Sequence, residues 1–154
     1  MKSIYGFIPA AAVVAVMGLA GTASAKDCKF VIEGSDAMKY NLSEIDATGC
    51  AEVSLTLNHS GKLPKAAMGH NWVLSLTSDK KKIVDSATAA GPAKDYAPTA
   101  AGVIAHTKLV GGGPADTKTD TITFKTDKLK KGGDYQFYCT FPGHVGMMSG
   151  KFKF

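Results

Sequence analysis

The chain has 154 residues and a formal charge of +5, with hydrophobic residues making up 45% of it. That leaves room for one domain with a proper core and excludes a large multidomain enzyme. All eighteen basic residues are lysines, and the lack of arginine argues against nucleic acid, where bidentate guanidinium contacts dominate base and phosphate recognition.

In chain order, the first segment is a leader. Lys2 precedes an uncharged run that is apolar from about Phe7 to Leu19 and closes on Ala23-Ser24-Ala25. This is the charged, apolar and small-residue order of a secretory signal peptide, predicting cleavage after residue 25 and a mature domain over 26–154. The stretch is also long enough to span a bilayer, so a retained anchor is the alternative. Gly18, Gly21 and the small polar end favour cleavage.

Cysteine usage fits export. Of three cysteines, an oxidising compartment can pair two and leaves one over. The economical assignment is a Cys28–Cys50 disulfide with Cys139 free; three buried thiols are the alternative. Closing the loop between Cys28 and Cys50 would stabilise the fold by about 3 kcal/mol in the chain-entropy picture.

Period-two alternation then recurs in short runs. Residues 29–34 read as a strand. Val53, Leu55 and Leu57 share a face on which His59 also falls, so His59 reads as a satisfied buried histidine. Residues 71–76 read as a more fully buried strand, with Trp72 in the core. Ile122 and Phe124 alternate with threonines; Tyr135, Phe137 and Cys139 share a face opposite Gln136 and Tyr138; Phe152 and Phe154 alternate with lysines. Such strands, separated by Gly, Pro, Asp and Asn, predict an all-β antiparallel sandwich or barrel. One helix interrupts it over residues 78–90, capped by Ser78-Asp79 and stopped by Gly91-Pro92, with Ile83, Val84, Ala87 and Ala90 inward. His106 reads as exposed. The lysine runs 80–82 and 128–131 read as solvated surface.

The chemistry concentrates in Cys139-Thr-Phe-Pro-Gly-His144-Val-Gly-Met-Met148, a C-x4-H-x3-M loop beginning where an alternating strand ends. Pro142-Gly143 forces a turn that can gather a thiolate sulfur, an imidazole nitrogen and a thioether sulfur. A second histidine would complete the His2Cys set with a weak axial Met of a blue-copper electron-transfer centre. His70 is the candidate, flanked by Gly69, which admits close backbone approach, and by Asn71, which could donate to the Cys139 loop. Met147 and Met148 have equal softness, so the residues alone do not choose between them.

The segments Met68-Gly-His-Asn-Trp-Val-Leu, Val103-Ile-Ala-His-Thr-Lys-Leu and Tyr138-Cys-Thr-Phe-Pro-Gly-His together resemble the azurins, small bacterial periplasmic blue-copper proteins of the cupredoxin fold. The similarity spans essentially all of the mature chain, including the two N-terminal cysteines. The resemblance implies a Greek-key cupredoxin β-sandwich and one copper ion cycling between Cu(I) and Cu(II). It implies His70, Cys139 and His144 as equatorial ligands, Met148 as axial sulfur and the Gly69 carbonyl as the opposite weak oxygen. It also implies that His59 does not bind copper and is a candidate pH-coupled residue.

The function expected is a periplasmic, monomeric electron carrier that turns over no substrate. Met38, Leu63, Met68, Phe141 and Met147, with Pro64, Pro142 and Val145, form an apolar surface around His144 that would dock redox proteins transiently. A copper enzyme would need a second copper site or a substrate pocket. A copper storage or delivery protein would favour exchangeable sulfur-rich sites.

Overall fold

The computed structural model describes residues 26–154; the expected leader over 1–25 lies outside the described residues. Among the described residues nine strands, β1 (Lys26–Ser35), β2 (Lys39–Tyr40), β3 (Glu44–Asp46), β4 (Cys50–His59), β5 (Val73–Leu76), β6 (Ala105–His106), β7 (Thr119–Lys125), β8 (Tyr135–Tyr138) and β9 (Ser149–Lys153), form two sheets. Their orders are β2-β1-β4-β7 and β3-β9-β8-β5-β6. The chain passes repeatedly between the sheets, giving the expected β-sandwich.

The pairing is not wholly antiparallel, as the alternation alone suggested. β1 runs parallel to β4, and β3 parallel to β9. A parallel pair needs a crossover. Here residues 36–49 provide it, placing β3 in the opposite sheet before β4 returns beside β1. Side-chain periodicity is the same in both directions, so alternation carries no sign of strand polarity.

The core follows the alternating residues. Ile32, Val53, Leu55 and Leu57 of one sheet meet Leu74, Phe137 and Phe152 of the other, all fully buried. Trp72 lies among them, its ring centroid 6.0 Å from Phe137, 6.1 Å from Phe124 and 6.3 Å from Phe152. Burying aromatic rings of this size is the largest apolar contribution available to so small a sandwich.

Two further corrections concern the helical insertion. α1 (Lys65–Met68) is a single turn ahead of Gly69, and α2 (Lys80–Ala90) is the expected helix. Ser78-Asp79 does not cap α2; residues 77–79 form a 3-10 turn, no side chain caps the helix, and Asp79 instead holds Lys82 Nζ at 3.0 Å. α2 also buries what was expected to be an outer face. Ile83 packs with Val73 and Tyr138, so Tyr138 is as buried as Phe137. Its hydroxyl meets Ser75 Oγ at 2.8 Å, and Lys80 Nζ lies 5.3 Å from its ring centroid.

Candidate metal centre

His70 and the Cys139–Met148 loop arrive at one end of the sandwich by different routes. His70 precedes β5 and is fixed by a two-way backbone bridge to Val110, with N–H···O distances of 2.9 and 2.8 Å. Gly69 before it is required by space: a Cβ there would stand 2.6 Å from the Lys65 carbonyl oxygen and 2.8 Å from the Leu109 side chain. Cys139 immediately follows β8. Its N–H donates to the Met148 carbonyl at 3.0 Å, closing the loop at its base. Within the loop, Gly143 takes the left-handed φ of +83° that the Pro142-Gly143 turn demands. His144 N–H then donates to Phe141, and Met148 N–H to the His144 carbonyl at 2.8 Å.

The result is convergence. Ligand atoms of His70, Cys139 and His144 all lie within 4.8 Å of one another, and all three residues are buried. Cys139 Sγ stands 3.7 Å from His144 Nδ1. Met148 is fully buried in the same apolar cluster as Cys139, Leu109 and Phe141.

The hydrogen bonds say which atoms are free to ligate. His70 Nε2–H donates to the Ser35 carbonyl at 3.0 Å, which fixes the neutral tautomer and leaves the lone pair on Nδ1. Among the described residues that Nδ1 is buried with no hydrogen-bond partner. An orphaned buried acceptor is costly, so a lone pair held this way fits a cation. Burial, reinforced by the neighbouring His59 and His144, lowers the His70 pKa to about 4. Burial also lowers His144, so both imidazoles are kept neutral. The Cys139 thiol is pushed up to about 11 by burial, against the backbone N–H groups of Asn71 and Phe141, which favour the thiolate. A cation arriving there would displace that proton. Two neutral imidazoles and an ionisable thiol in one dry pocket suit a soft or borderline transition metal such as copper.

Around the donors, Asn71 acts as a clip. Its Nδ2 donates to Thr140 Oγ1 at 2.7 Å, and its Oδ1 accepts the Thr140 N–H at 2.8 Å. His59 stacks on His70 with centroids 4.6 Å apart. Both its ring nitrogens are used: Nδ1 accepts from Gly61 N–H, and Nε2–H donates to the Met68 carbonyl. It is therefore a satisfied buried residue with no lone pair to offer. His106 is exposed, as expected.

The apolar surface is more uneven than its composition suggested. Met147 and Leu63 are 56% and 42% exposed, and Met38 and Met68 are half-buried. Phe141 is the correction, being only 9% exposed because Tyr96 packs edge-on against it and His144 lies 4.7 Å away. Residues missed in the sequence are those that support the donors: Ser35 through its carbonyl, Thr140 and Tyr40. Thr140 could have been found as the polar neighbour of Cys139; a backbone carbonyl leaves no sequence signal.

Disulfide pairing is as expected, Cys28 with Cys50 and Cys139 free. A model of the copper-binding proteins of the plastocyanin/azurin family matches residues 26–154. Azurin of Alcaligenes faecalis is 48% identical over 128 residues, covering 80% of this chain and 94% of that protein. Azurin of Pseudomonas aeruginosa is 44% identical over 128 residues, covering 82% and 84%. Azurin of Achromobacter denitrificans is 44% identical over 131 residues, covering 84% and 85%. With the donor set, the fold and these relatives in agreement, the chain belongs to the plastocyanin/azurin family of copper-binding proteins.

Proposed function

We propose that this protein is a periplasmic one-electron carrier whose copper is held by His70, Cys139 and His144, with Met148 sulfur and the Gly69 carbonyl as weaker donors. The observation that carries this reading is the orphaned Nδ1 of His70 facing a buried thiol and a second neutral imidazole. Copper bound there supplies the Cu(I)/Cu(II) couple. The residues do the rest. Soft sulfur and borderline nitrogen together serve both oxidation states, so neither state calls for a new ligand set. The Ser35 carbonyl, the Asn71 clip and the Val110 bridge hold the donors in place. A rigid, dry site needs little reorganisation when an electron passes, and no substrate has to be turned over.

The periplasmic location is supported by the leader pattern of residues 1–25 and by a disulfide that needs an oxidising compartment. Among the described residues, no helix is long and apolar enough to cross a membrane. Redox proteins are the partners, docking on Met38, Leu63, Met68, Met147 and the rim of Phe141. His144, which is 3% exposed, is the electron port. Exposed apolar side chains of this kind suit short-lived contacts. Met147→Lys and Met68→Lys should slow electron self-exchange about tenfold or more through desolvation and like-charge repulsion, with unchanged visible absorption. Wild-type rates in both variants would remove the docking surface from the account.

A further inference from the structure

Tyr40 ends β2 and packs, partly buried, against the cluster formed by Leu109, Cys139, Phe141 and Met148. Its ring centroid is 5.7 Å from Phe137, and its hydroxyl donates to the Asn71 carbonyl. Three polar groups of Asn71 are thereby hydrogen-bonded, the carbonyl and both ends of the side-chain amide. The carbonyl is held by Tyr40, the amide oxygen and nitrogen clip Thr140, and the backbone N–H favours the Cys139 thiolate. Thr140 Oγ1 passes the chain on, donating to the Tyr96 carbonyl at 3.0 Å. A single network thus runs from Tyr40 through Asn71 and Thr140 to Tyr96, next to both Cys139 and the aromatic ring packed on Phe141.

We propose that Tyr40 is a positioning residue for the copper centre: its hydroxyl fixes the Asn71 backbone, and with it the adjoining N–H and the clip that holds Thr140 next to Cys139, and so raises the reduction potential. The inference rests on the copper-carrier reading above. Its sign follows from electrostatics. A hydrogen bond to the Cys139 sulfur stabilises the more electron-rich, reduced centre, so loosening it favours oxidation. The hydroxyl is the only part of Tyr40 that can make this contact; the ring contributes packing alone.

The test is Tyr40→Phe, which keeps the ring and removes the donor. Voltammetry of the copper-loaded variant should give a lower potential than wild type. In the metal-free variant, hydrogen exchange of the Asn71 and Thr140 amides should be about two- to tenfold faster than any change common to all core amides. A wild-type potential, or exchange at these two amides that moves only with global stability, overturns the inference. Failure of the wild-type protein to give a blue copper complex defeats the carrier reading instead, and the metal-free exchange experiment still decides whether Tyr40 holds Asn71.

Discussion

At the scale of single residues, the centre depends on protons being kept off His70. Its Nε2–H is committed to Ser35 and its Nδ1 lies in a dry pocket, so protonation would bury a charge. The folded pKa of about 4 lies below the ordinary 6.5. The unfolded chain therefore binds more protons in between. The stabilisation is complete above about pH 6.5 and is lost as pH falls toward 4. His70 alone accounts for about 3 kcal/mol, and His144 acts in the same direction. Asp36 and Asp46, lowered by the Lys62 backbone N–H and the Thr48 hydroxyl respectively, add to the loss only below their ordinary 3.8. Urea unfolding of the metal-free protein between pH 7 and 4 measures this, and a flat profile would contradict it. Space is as tightly held as charge. A Cβ on Gly34 would stand 2.7 Å from His70 Cδ2, so β1 packs directly against the imidazole.

At the scale of elements, the site and the disulfide occupy separate places. Cys28 lies in β1 and Cys50 opens β4; the parallel register sets Lys26 beside Cys50 and Cys28 beside Val53. The cross-link ties the two strands at the start of their ladder, whereas His70 and Cys139 adjoin β5 and β8 of the other sheet. Cys28→Ser should lower unfolding stability by about 2–5 kcal/mol and leave the copper absorption unchanged; a bleached site would show that the disulfide and the centre are coupled. The helical insertion was legible in the sequence because Ile83 and Ala87 keep a 3.6-residue spacing between breakers. What it covers was not. Tyr138 occupies the polar face of an alternating strand, and only the docking of α2 explains why a large ring is buried there.

At the scale of the whole molecule, the convergence of His70, Cys139 and His144 was easier to read than topology. Cys139, His144 and Met148 sit on one loop at short spacing, and His70 is marked by the glycine and asparagine on either side of it. Soft donors in such a pattern have few other uses. The parallel pairs β1/β4 and β3/β9 left no trace, because alternation reports which face is buried and not which way a neighbour runs. The supporting contacts were hidden for a related reason. Ser35, Tyr40 and Thr140 act through backbone carbonyls or through hydroxyls brought close from distant segments. Their roles exist only once the sandwich has closed.

Whether these residues form one blue-copper centre is tested most directly by adding Cu(II) to the purified metal-free protein. One equivalent should give an intense blue thiolate-to-copper absorption that vanishes on one-electron reduction, returns on reoxidation, and is absent from Cys139→Ser. A colourless copper complex, or a blue one that survives Cys139→Ser, would contradict the account.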